Sequence, residues 1–130
     1  MCSSDLAQSP EHGVLLNNVA WLLLTERGDA ARALPLIHRA VWSLGPDRAV
    51  LDTKGLILLA SDRPADAIRA LETLRPDGEE TAVDWLHLAA ACRAAGRGKD
   101  ADFALQQARS KGLKDLSPYD QRLLESAAGR

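Results

Sequence analysis

Three alanines stand 34 residues apart, at Ala33, Ala67 and Ala101, and each is followed four positions later by a large aliphatic residue, Ile37, Leu71 and Leu105. A fixed period of this size marks a stack of repeated supersecondary units and constrains the fold before any local reading does. The period recurs between Gly55 and Ala89, and doubled between Gly28 and Gly96. One such unit cannot bury both of its faces alone. Each therefore needs a neighbour, and stability becomes a nearest-neighbour sum.

Composition says what the units are made of. The chain has 130 residues, 46% of them hydrophobic and only 4% aromatic, with Ala and Leu dominating the apolar content. That bias suits helices packed through small residues and disfavours sheets, which draw on β-branched and aromatic side chains. A formal net charge of −2 gives no electrostatic footprint for nucleic acid. No apolar run approaches the ~18 residues a spanning helix needs. Cys2 and Cys92 form neither a disulfide framework nor a metal-ligand spacing. They leave the compartment open, with a reducing, cytoplasmic one mildly favoured.

Start and stop signals divide the chain into helices. Ser9-Pro10-Glu11 opens the first, whose buried face is read as Leu15, Leu16, Val19, Ala20, Leu23 and Leu24. Gly28 closes it and Asp29 caps the second, in which Pro35 predicts a slight bend or a late start. Gly45-Pro46-Asp47 precedes a third helix through Leu51, Gly55, Leu58 and Leu59. A fourth follows Ser61-Asp62-Arg63-Pro64 and carries Ala67, Ile68, Leu71 and Leu74, up to the break at Arg75-Pro76-Asp77-Gly78. The fifth holds Trp85, Leu88, Ala89 and Cys92, and the sixth Ala101, Leu105 and Ala108. Ser117-Pro118 starts a seventh, expected to cover the last unit with Tyr119, Asp120, Gln121 and Arg122 on its wet side.

In this register the chain resembles the tetratricopeptide repeat family, whose pattern is W-x-x-L-G-x-x-Y in the first helix and A-x-x-x-F in the second. The third unit reads Trp85-x-x-Leu88-Ala89-x-x-Cys92, then Ala101-x-x-x-Leu105. The second reads Leu51-x-x-Lys54-Gly55-x-x-Leu58, then Ala67-x-x-x-Leu71, and the first Leu16-x-x-Val19-Ala20-x-x-Leu23, then Ala33-x-x-x-Ile37. Leu16-Asn17-Asn18-Val19-Ala20-Trp21-Leu22-Leu23 and His87-Leu88-Ala89-Ala90-Ala91 are similar to strings in the C-terminal repeats of long bacterial members. The resemblance implies an all-α fold: a right-handed α-α superhelix of three helix-turn-helix units, residues 9–45, 46–78 and 79–113, with a C-terminal capping helix at 117–130. Residues 1–8 are expected to be a disordered or non-native leader, since Met1-Cys2-Ser3-Ser4-Asp5-Leu6 looks like translated adapter sequence. The chain is then expected to be cut from a longer array, leaving Leu15, Val19 and Leu22 exposed and prone to self-association.

Few residues suggest chemistry. His12, His38 and His87 form no pair that would put two metal ligands on one helix face. His38 is expected to be exposed beside Arg39, His87 to line the surface between helices, and Cys92 and Trp85 to be core. Trp42 is expected to be half exposed, and Lys54, at a normally apolar position, to snorkel and pair with an acid such as Asp52. Gly96-Arg97-Gly98-Lys99 is a turn between helices, not a phosphate cradle. No cofactor, metal or enzymatic role is expected.

In the family the first helices of the hairpins line a concave groove. Carried onto this chain, that surface consists of Asn17, Trp21, Asp52, Leu56, Leu59, Leu86, Ala90 and Arg93. Leu86 and Ala90 break the family's carboxylate-clamp pattern, so an apolar peptide groove anchored by Trp21 is the expected partner site. The competing reading has Trp21 and Leu56 touching each other or a further repeat, in an array that serves only as an assembly module.

Overall fold

The computed structural model describes residues 10–73 and 80–129. The leader, the Ser9 cap, Leu74 and the Arg75-Pro76-Asp77-Gly78 break lie outside the described residues. Within them the chain is all-α, with seven helices and no strand. They are α1 (Pro10–Arg27), α2 (Ala30–Leu44), α3 (Arg48–Ala60), α4 (Pro64–Glu72), α5 (Ala82–Ala94), α6 (Gly98–Lys111) and α7 (Pro118–Ala127).

Helix boundaries follow local chemistry. Side-chain oxygens of Asp29, Asp47 and Ser117 accept the orphan backbone N–H groups at the starts of α2, α3 and α7. Thr81 and Asp84 form a reciprocal capping box on α5. Gly28 and Gly96 turn the chain out of α1 and α5 with φ of 63° and 79°, the left-handed conformation that glycine adopts without strain. Pro35 delays nothing, because α2 already starts at Ala30. At nine residues, α4 is much shorter than α2 and α6.

The helices pair as antiparallel hairpins, α1 with α2, α3 with α4 and α5 with α6. Each second helix then packs on the next first helix, and the first helices α1, α3 and α5 also meet in succession. The 34-residue alanines are the close-approach points, since Ala33, Ala67 and Ala101 are fully buried and Ile37, Leu71 and Leu105 fill the space beside them. At Gly55 the approach is closest. A methyl group there would lie 2.6 Å from Leu71 Cγ.

Two apolar clusters result, and α3 joins them: Leu56 and Ile57 belong to the first, Leu58 to the second. Residues Trp85 through Cys92 of α5 are buried without a break, so α5 has no wet face along that stretch. On α1 the opposite holds, because Val14, Leu15, Val19 and Leu22 are all exposed. Trp42 is 73% exposed, well beyond the half-exposure expected of it.

The last helix departs from expectation. Both α3 and α5 meet the preceding hairpin mainly through its second helix, whereas α7 packs chiefly on α5 and only lightly on α6. Instead of extending the stack, α7 turns back along α5 and reaches α1 through the Trp21–Tyr119 ring contact. Its expected wet side is also rotated: Asp120 is buried and Tyr119 half-buried, while Gln121 and Arg122 face solvent.

Candidate functional site

The face formed by α1, α3 and α5 is the surface to which the repeat register assigned a groove, and α7 lies on it. Three contacts hold the helix there. At its first turn, Tyr119 meets Trp21 of α1 edge to face, with ring centroids 6.0 Å apart. At its last residue, the Ala127 carbonyl accepts a 3.0 Å hydrogen bond from Arg93 Nε of α5. Between them sits the most heavily invested contact.

His87, on α5, is only 2% exposed. Its Nδ1 lies 2.7 Å from Asp52 Oδ1 on α3, and its Nε2 lies 2.8 Å from Asp120 Oδ1 on α7. Burial alone would depress the imidazole pKa. The two carboxylates outweigh it, Asp120 ahead of Asp52, and raise the pKa from 6.5 to about 9. At neutral pH the ring is an imidazolium donating one N–H to each acid. Both nitrogens are committed, so while α7 is in place the ring has no lone pair for a metal or a substrate proton. Chemically the trio is a buried, charged clamp joining three helices.

Tyr119 shares this environment. Burial first, and the Asp120 carboxylate second, push its phenol above its ordinary pKa of 10.0. Beside the Trp21–Tyr119 pair a cleft of about 280 Å³ stays open, with Thr25, Glu26, Pro118 and Arg122 on its walls.

The six peptide-groove candidates divide accordingly. Trp21 and Arg93 contact α7 directly, and Asp52 does so through His87. Asn17 is half-buried, and its Oδ1 is enclosed without a hydrogen-bond partner. With α7 in place, Leu56 and Leu86 are both 0% exposed. Ala90 is likewise buried, and Leu59 half-buried.

The polar expectations also shift. Asp52 bonds His87 and not Lys54, which instead shares a surface depression with His38, Arg63 and Arg69. There burial, then Lys54, then Arg63 lower the His38 pKa. His38 is exposed, His12 lies 3.3 Å from an Arg39 nitrogen, and the three histidines stay apart. Cys92 and Trp85 are core.

Sequence reasoning missed the pairing of His87 with Asp120, yet a signal existed. Asp52 precedes His87 by 35 residues and Asp120 follows it by 33. Each interval is close to one 34-residue period, which places Asp52 and His87 in neighbouring units, while the turning back of α7 brings Asp120 to them.

Among the described residues no group of three or more His, Cys, Asp or Glu could hold a metal ion, and no helix is long and apolar enough to cross a membrane. No protein-family model, curated protein or solved structure matches the chain.

Proposed function

We propose that the chain is a non-catalytic tetratricopeptide-repeat scaffold that binds protein segments through the concave face of its first helices. The proposal includes the finer architecture, a right-handed superhelix of three such units. The observation that carries the functional reading is that this face already accommodates a peptide segment, α7, through an aromatic contact, an ion pair and a backbone hydrogen bond. A helix laid along a groove is one of the recurring modes of peptide recognition.

The same observation favours a second reading. A face permanently filled by the chain's own helix needs no external ligand, and the array then serves as a structural or assembly module of a larger protein.

Selection of a random-peptide display library on the full chain separates the two. The binding reading expects enriched peptides whose capture is lost in Trp21→Ala while the helical circular dichroism persists. If repeated selections enrich nothing that depends on Trp21, the assembly reading stands and the binding reading fails.

A further inference from the structure

The structure says more about the partner than that it is a peptide, because α7 displays the chemistry that the face accepts. Tyr119 meets Trp21 edge to face, Asp120 completes the pairing of His87, and Leu123 reaches both apolar clusters. Together they form a short pattern on one helix: an aromatic residue, a carboxylate next to it, and an aliphatic residue one turn on. We propose that the α1–α3–α5 face is an exchangeable docking site for helical protein segments carrying this aromatic–acidic–aliphatic pattern, and that α7 is its built-in competitor. The proposal rests on the peptide-binding reading above.

Exchange has a physical basis in how short α7 is and in how one-sided its packing is, chiefly against α5. It has ten residues, below the ~12–15 at which an isolated helix becomes even marginally stable in water, so its order depends on docking. Only Asp120 and Ala127 among its residues are buried, and it barely touches α6, its predecessor in the chain. The cleft beside Trp21 shows that α7 does not fill the face, and it gives an incoming aromatic side chain a point of entry before α7 has left.

The requirement for an acid follows from what stays behind. When α7 departs, His87 keeps Asp52 on Nδ1 and loses the partner of its Nε2, the Asp120 carboxylate. A segment that offers no carboxylate there would cover a ring nitrogen that has lost its hydrogen-bond partner, which is costly in a water-poor site. A segment with one restores the two-acid arrangement. Selectivity against neutral helices is therefore built into α5, independently of how much apolar area a partner buries.

The test uses the full chain and a fluorescent synthetic peptide spanning residues 114–129, which carries the pattern. Asp120→Asn in the chain weakens the internal competitor while leaving His87 and Trp21 intact. Hydrogen exchange should show faster amide exchange across α7 in that variant. The peptide should then bind it about tenfold or more tightly than wild type, because an occupied face lowers apparent affinity by the open fraction. The same peptide carrying Asp120→Asn should lose most of that gain.

Unchanged exchange in α7 would overturn exchangeability and leave the binding reading standing. Faster exchange with no peptide binding would overturn both. Equal binding of the acidic and amide peptides would overturn the acid requirement alone. Tyr119→Ala loosens α7 without touching the buried charges and carries the same measurements should Asp120→Asn fail to fold.

Discussion

Because His87 carries its proton to about pH 9 in the folded chain and to 6.5 in the unfolded one, stability should fall as pH rises. Between those values the native state binds a proton that the unfolded state has released, so unfolding stability decreases with pH. The contribution is complete below pH 6.5 and gone above about 9. Its size is about 3 kcal/mol, from the shift at about 1.4 kcal/mol per unit. That is a large share of the 5–15 kcal/mol that typically holds a domain together. His38, whose pKa is lowered, acts in the opposite sense and only below pH 6.5, so it does not mask the window.

The substitution His87→Gln keeps a polar side chain but removes the charge. With the ring between them, the two carboxylates lie roughly 7 Å apart and repel by about 2 kcal/mol at an effective dielectric constant of ~20. Adding the lost pairing brings the cost at pH 6 to the 3–5 kcal/mol typical of a broken buried ion pair. By pH 9.5 the cost should shrink by about 3 kcal/mol, since the wild type has then lost the same charge. Urea titrations followed by circular dichroism at pH 6, 7, 8, 9 and 9.5, on wild type and variant, measure this directly. The difference between the two curves cancels the titration of groups that do not interact with His87. Parallel curves, with a gap constant to within about 0.5 kcal/mol across the range, would refute the buried imidazolium.

Three further outcomes are expected. Gly55→Ala adds a methyl 2.6 Å from Leu71 Cγ; overpacking at about 1–3 kcal/mol should outweigh the roughly 1 kcal/mol gain in helix propensity, lowering the urea midpoint, whereas a stabilised variant would show that α3 and α4 can move apart. Thr81→Ala removes the capping box and should cost about 1 kcal/mol, read from the same titration. Leu15→Glu with Leu22→Glu breaks the exposed apolar face of α1 and should abolish concentration-dependent association in sedimentation velocity, and a wild type that stays monomeric across the concentration range would remove the premise.

What the sequence could show depended on how local the cause was. Ala33, Ala67 and Ala101 must be small because two helix backbones pass close to them, and that need is written in the period itself. Caps such as Asp29 and Ser117 act within three or four residues, so their helix starts could be read directly. The groove candidates were legible only in part. Register fixed which helices share a face but not how deeply each position lies. Leu56 and Leu86 sit where α3 and α5 are enclosed by neighbours, and a pattern that counts residues along one helix does not count the helices around it.

The position of α7 was illegible for a different reason. Ser117 and Pro118 determine where the helix begins, and Leu123 and Leu124 supply an apolar side, yet the same helix could cover the last unit or fold back over the first helices. Apolar contacts alone discriminate poorly between those two placements, since both bury leucine. The buried charges supply the discrimination. With α7 on the last unit, Asp120 would face water and His87 would keep only Asp52, whereas folded back the helix satisfies both ring nitrogens at once. A paired buried charge contributes little net stability over an apolar substitute, but a broken one is strongly unfavourable. The Asp52–His87–Asp120 trio therefore acts less by strengthening the docked state than by penalising every alternative, and an arrangement held in that way opens to a competitor that brings its own carboxylate.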